Sequence, residues 1–337
     1  VRSFLVWLTS PQSVQILGEP FFRLLGFRRK VYEHDFLKIK QVLVIRLDEI
    51  GDVVLTIPFL RELRRNLPNA WISLVVNPSI YNLVELCPYI NEILIYDWDT
   101  KGLFKPLKLH GRTLKFCFKF LWHRRFDLGI LPRWDADLYN ATYLLYLSGA
   151  RKRVGYSEHV TEKKAQHNKG ADLLLTQALI HNVETHEVKH NLNILELLGC
   201  EVTATNLELW IGKEDEFFAN EILESGSVNP SDLHVGIGVG AKLPKRLWPL
   251  MCFIEIATWL YEVYQAKLII FGGSEDEKLG EAIHNKLGMS ALNMAGRSTL
   301  RQTAALLGHC QLFLGNDSGP MHIAAAMGVP IVEISCH

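Results

Sequence analysis

Three short stretches group residue types able to handle a proton, a phosphate and a sugar. The first, Arg46 to Pro58 (RLDEIGDVVLTIP), follows the apolar run Val42-Leu-Val-Ile45, so Gly51 and Asp52 stand at the carboxyl edge of a strand. Open α/β sheets place ligands there. A carboxylate in that position can take a proton from an attacking hydroxyl. The structural alternative is that Gly51 permits the turn and Asp52 caps the next helix.

The second stretch, Gly236 to Pro249 (GIGVGAKLPKRLWP), follows another apolar run. Glycines such as Gly240 let backbone N–H groups approach a phosphate, and Lys242, Lys245 and Arg246 add positive charge to the same loop. Its G-x-G-x-G spacing, with Trp248-Pro249 before the next helix, departs from the dinucleotide fingerprint. The third stretch, Leu314 to Gly328 (LGNDSGPMHIAAAMG), reads as a strand end, a polar turn and a small-residue helix. Free N–H groups at Ser318, Gly319 and just beyond can bind a diphosphate at the positive end of that helix. Asp317 either caps the helix or orients the cationic loop or a donor hydroxyl. His322 reads as packed inside the helix. Between these loops, Gly272, Glu275 and Asp276 follow a further strand in Phe271-Gly-Gly-Ser-Glu-Asp276, where a carboxylate can hold ribose hydroxyls.

Two patterns mimic metal chemistry. His186-Glu-Val-Lys-His190 matches the H-E-x-x-H zinc pattern, but no fitting third ligand follows. Asp97-Trp-Asp99 and Asp135-Ala-Asp137 imitate a D-x-D metal site outside the single-domain nucleotide context that such a site needs. No metal is expected.

The elements that must position these loops follow from apolar patterning. Val42–Ile45, Trp71–Val76, Glu92–Ile95 and Asp127–Leu131 read as buried parallel strands separated by amphipathic helices. A second series covers His234–Val239, Lys267–Phe271, Ala291–Met294, Leu312–Gly315 and Val329–Ile334. With 337 residues, and roughly 100 to 200 per domain, two domains are expected. The reading assigns 1–39 to an amphipathic, basic-ended extension that packs on the protein or lies on a membrane. It gives 40–211 to a first Rossmann-like domain and 212–232 to a turn-rich linker acting as a hinge. Residues 233–337 form a second such domain facing the first across a cleft.

Lys plus Arg equals Asp plus Glu at 36 each, so no global field draws nucleic acid. No apolar run reaches the roughly 18 residues of a membrane span. Six scattered cysteines without a C-x-x-C pair read as reduced, which places the chain in the cytoplasm. The start at Val1 and the stop at His337, directly after a strand-like run, read as a piece of a longer protein.

Taken together, Arg46–Pro58, the Gly-Ala then Lys-Arg-Leu-Trp-Pro loop, Phe271-Gly-Gly and Gly315-Asn-Asp-Ser-Gly-Pro-Met-His-Ile-Ala-Ala-Ala resemble glycosyltransferase family 9, the ADP-heptose:lipopolysaccharide heptosyltransferases, over about residues 41–337. The resemblance implies an α/β chain of the GT-B fold and inverting, metal-independent transfer from a nucleotide sugar, ADP-heptose, to an anionic glycan or glycolipid. By it, Asp52 is the base and Lys245 or Arg246 binds the diphosphate. Glu275 or Asp276 takes the ribose, and Asp317, Ser318 and Gly319 the phosphates and sugar. The family places its Lys where this chain has Arg246. The resemblance also implies work at the cytoplasmic face of the inner membrane, and a further strand and helices beyond His337. Arg61, Arg64, Lys115 and Lys119 either meet the acceptor or line solvated helix faces. A nucleotide-sugar 2-epimerase and an inactive nucleotide-sugar-binding protein are the alternative readings.

Overall fold

Val42, Leu43, Val44 and Ile45 have no exposed surface, the environment of a parallel strand covered by helices on both faces. They belong to β1 (Gln41–Ile45). The structure is a computed structural model that describes residues 9–27, 36–99, 105–226, 228 and 231–335. β1 pairs in parallel with β2 (Trp71–Val76) and β4 (Leu128–Leu131), with Val42 opposite both Ile72 and Leu128. With β3 (Glu92–Ile95), β5 (Lys152–Tyr156) and β6 (Gln177–Leu179) they form a six-stranded sheet of order β3-β2-β1-β4-β5-β6. Leu43, Ile45, Val75, Leu121, Phe126, Leu144 and Leu145 build the core on one side of it.

A second sheet contains β7 (His234–Gly238), β8 (Lys267–Phe271), β9 (Ala291–Asn293), β10 (Leu312–Asn316) and β11 (Ile331–Ile334). Its order is β11-β10-β7-β8-β9 and every pair is parallel. Val235, Ile237, Phe253, Leu268 and Ile270 form its core. The chain reverses its direction of strand addition between β7 and β10, which opens a ligand crevice at their carboxyl ends. The two parallel sheets with their helices make the chain α/β, of the GT-B class.

By packing, the chain divides into two units. One is Val1–Asp48, Thr56–Tyr81 and Pro88–Thr205; the other is Glu49–Leu55, Asn82–Cys87 and Asn206–His337. The division departs from the simple order of the sequence in two places, Glu49–Leu55 and Asn82–Cys87. Residues expected as a linker, 212–232, contain the helix Lys213–Ser225. Turn-forming residues are confined to its end, while KEDEFFANEILES is an acid-started amphipathic run. The short helix Ile50–Val54, which carries Asp52, groups with the second unit. Asn82–Cys87 joins that unit through Arg301: its N–H donates to Asn82 Oδ1 at 3.0 Å, and its guanidinium to Glu85 Oε2 at 2.6 Å and Asp215 Oδ2 at 2.9 Å.

Near the amino end, Pro11–Leu24 is helical, with Ser10 Oγ accepting from the Ser13 N–H at 3.3 Å. Its inner face packs Phe22, with Phe27, onto Tyr146 and Leu174. The runs Phe4–Leu8 and Arg28–Lys30 lie outside the described residues. Cys117, Cys200, Cys252 and Cys310 are free thiols.

Candidate active site

A cavity of about 720 Å³ lies in the second unit. Three strand-to-helix turns and the Asp52 helix build it. After β7 come Gly240, Ala241, Lys242 and Arg246; after β8, Gly272, Gly273, Glu275 and Asp276; after β10, Asp317, Ser318, Gly319 and Pro320. Glu49, Ile50, Gly51, Asp52 and Leu55 close another side, with His322 from the helix Gly319–Ala326.

Two glycines permit this closeness. A Cβ on Gly51 would overlap the His322 ring, and a Cβ on Gly240 would overlap the Asp276 carboxylate. Gly319 also meets Ile50, since a Cβ there would come 2.9 Å from Ile50 Cδ1. The amino ends of the helices Ile50–Val54 and Gly319–Ala326 therefore approach one another, and both carry positive partial charge.

Asp52 lies in the first turn of its helix, whose N-cap is Glu49. Asp52 is thus not the N-cap. Nor is Asp317, because Ser318 holds that position before Gly319 without a side-chain capping bond. Asp317 instead accepts from Arg246 Nη1 at 2.9 Å and lies 3.6 Å from His322 Nε2. Ser318 Oγ is buried without a hydrogen-bond partner. Arg246 lines the cavity and Lys245 does not. Lys242, a second lining cation, pairs with Glu49.

Glu275 and Asp276 also divide. The Asp276 carboxylate accepts from the Gly273 N–H at 2.9 Å and closes a capping box over the turn. Burial raises its pKa, against the pull of that N–H and with the Glu275 charge adding to the rise. Glu275 is exposed and lines the cavity, so its carboxylate is open to a hydroxyl pair.

Asn316 is a residue that sequence reasoning missed. It has no exposed surface. Its Nδ2 donates to Val239 O at 2.9 Å and its Oδ1 accepts from the Trp248 N–H at 3.0 Å. One amide thereby ties β10 to both ends of the cationic loop. His322 was expected as packed; it does lie against Gly51, and it also lines the cavity.

Of the candidate acceptor residues, none is among the lining residues. Arg64 donates to Tyr89 O at 3.0 Å, Ala70 O at 2.8 Å and Pro68 O at 3.0 Å, a structural use of its guanidinium. Arg61 lies 3.6 Å from Glu62 Oε1. Lys115 and Lys119 are exposed in and just after the helix Lys105–Phe116.

The metal-like patterns have structural uses. His190 Nε2 accepts from the Thr185 N–H at 3.3 Å and its ring stacks on Trp134 at 4.1 Å. Asp137 accepts from the N–H groups of Tyr139, Ala141 and Thr142, capping the helix Ala141–Leu147. Asp135 pairs with Lys163 and Asp97 with Arg112. Among the described residues no cluster of three or more His, Cys, Asp or Glu side chains could hold a metal ion.

A cavity at the switch point of a parallel α/β sheet, lined by carboxylates, paired cations and a glycine-opened helix, has the form of a ligand site. The family model "Glycosyltransferase family 9 (heptosyltransferase)" matches residues 118–334, and the chain belongs to this family. It is 24% identical over 290 residues to lipopolysaccharide heptosyltransferase 3 of Escherichia coli K12, covering 84% of this chain and 79% of that protein. Among solved structures it is similar to a glycosyltransferase family 9 protein of Veillonella parvula DSM 2008, with a TM-score of 0.73 and 26% identity over 88% of this chain and 80% of that one. It is also similar to the E. coli ADP-heptose lipopolysaccharide heptosyltransferase II, with a TM-score of 0.68 and 19% identity over 87% and 84%. The chain is a glycosyltransferase.

Proposed function

We propose that this chain moves a heptose from ADP-heptose to an anionic glycan or glycolipid of the lipopolysaccharide type, with inversion at the anomeric carbon. Asp52 takes the proton of the acceptor hydroxyl as its oxygen bonds to that carbon. The bond from the carbon to the diphosphate oxygen breaks, and ADP leaves with the electron pair. Arg246, Ser318, Gly319 and the opening turn of the Gly319–Ala326 helix stabilise the leaving charge. Glu275 takes the ribose, and Asp317 holds Arg246 toward the phosphates. The reading assigns no step to a metal or cofactor.

The observation that carries it is that Asp52, Arg246 and the start of the Gly319 helix line one cavity. The names of the relatives support heptose, an ADP donor and a lipopolysaccharide-type acceptor. Such an acceptor is anchored in the inner membrane, so the work belongs at its cytoplasmic face.

The test is a panel of nucleotide sugars followed by calorimetry and by transfer to lipopolysaccharide core acceptors. ADP-heptose is expected to bind most tightly and to yield a product of inverted anomeric configuration. Preference for a uridine-linked sugar, or epimerisation of the donor without transfer, would contradict the reading.

A further inference from the structure

We propose that the outer face formed by the helix Pro11–Leu24 and by the helix Lys105–Phe116 with the turn after it docks on an anionic phospholipid bilayer. Both segments belong to the first unit.

On the first helix Leu17 is 59% exposed, Phe21 42% and Leu24 87%. These positions are three or four residues apart and share a face. Phe118, beyond the second helix, is 70% exposed. Phe21 and Phe118 both rest on Trp122, with ring centroids 5.6 and 5.7 Å away, so the two segments present one apolar patch. Contiguous exposed apolar surface of this kind marks an interaction site.

Charge names the partner. Residues 105–126 contain four lysines and three arginines and no Asp or Glu, in a chain whose charges balance only over its whole length. Leu107, Gly111, Leu114 and Phe118 recur at helical spacing. Lys108, Arg112, Lys115 and Lys119 follow each by one position, so a cationic stripe borders the apolar one. Arg112 is held by the carbonyls of Asp97 and Asp99, at 3.0 and 2.7 Å, while Lys108, Lys115 and Lys119 are exposed. A second copy of the same face would meet like charge. A glycan would use the lysines and leave Leu24 and Phe118 in water. An anionic bilayer takes both, the apolar side chains entering at headgroup depth while the lysines meet lipid phosphates. No helix among the described residues is long and apolar enough to cross a membrane, so contact is with the surface.

The proposal rests on the proposed function only for its purpose, which is to bring the enzyme to a lipid-anchored acceptor. It is tested by sedimenting the full chain with vesicles of phosphatidylglycerol and phosphatidylethanolamine, or of phosphatidylcholine alone. Binding to the anionic vesicles is expected to exceed binding to the neutral ones and to fall with added salt. The pair Lys115→Glu and Lys119→Glu should lower the partition coefficient at least ten-fold, given about five-fold per cation near such a surface. Leu24→Ser with Phe118→Ser should lower it comparably while donor affinity, and transfer to a short lipid-free acceptor, stay within two-fold of wild type. Equal binding to both vesicle types, or wild-type sedimentation of either double variant, overturns the proposal. So does loss of transfer to the lipid-free acceptor in the lysine pair with vesicle binding intact, since the lysines would then serve the glycan. Vesicle binding by a chain that transfers no sugar would sink the transferase reading and leave this one standing.

Discussion

Arg246 Nη1 donates to Asp317 Oδ2 at 2.9 Å, and each residue follows a different strand at the point where the second sheet reverses direction. The carboxylate holds a flexible cation at the cavity wall before any ligand arrives. Such preorganisation lowers the ordering cost when a diphosphate binds.

Arg246→Ala should therefore weaken ADP binding by about 1.5 to 3 kcal/mol, the range of hydrogen bonds to charged groups. Lys245→Ala, outside the cavity lining, should leave affinity within two-fold. Titration calorimetry on both variants decides between them. Equal losses, or a larger one at Lys245, would move the phosphate site along the loop.

Asn316→Ala should destabilise the second unit by about 1 to 3 kcal/mol, because Val239 O loses its buried donor and the Trp248 N–H its acceptor. The loop between those two residues carries Lys242 and Arg246, so donor affinity should fall as well. Chemical denaturation paired with calorimetry reads both effects. A variant of wild-type stability and affinity would show that the loop holds its shape without this amide.

Acid should loosen the first unit through His190. Burial pushes its imidazole down to about 4, with the neighbouring His181 adding to the fall. Between about pH 4 and 6.5 the unfolded chain then binds a proton that the folded chain refuses, so stability rises with pH across that window and is lost as pH falls through it. The difference corresponds to at most about 3 kcal/mol. Urea unfolding at a series of pH values should show a flatter acid limb for His190→Gln than for wild type. Identical limbs would assign the acid sensitivity elsewhere.

Much of this was legible because parallel strands buried on both faces announce themselves as apolar runs. All nine strands expected from such runs are present. β5 escaped because Arg153 interrupts it; that arginine is buried at 4% exposure, spending its guanidinium on the carbonyls of Leu174 and Ala150. β6 has only three residues and partial burial, too little for a pattern. The loops of the site were legible through glycines and charge at strand ends, whereas the partners within them were not. That Asp317 holds Arg246, that Asp276 caps its own turn while Glu275 stays open, and that Asn316 ties β10 to the cationic loop all depend on distances between segments far apart in sequence. The helix Lys213–Ser225 was hidden by the turn-forming residues that follow it.

The central claim is that Asp52 takes the acceptor's proton during transfer. Asp52→Asn keeps the side chain's size but cannot accept that proton, and the role concerns the transition state and not donor binding. The measurement is the transfer rate and the ADP-heptose dissociation constant of the Asn variant beside wild type. The account predicts a rate lower by about 10² to 10⁴ with donor affinity within a few-fold and an unchanged melting temperature. Near-normal turnover, or turnover lost only in step with unfolding, would contradict it.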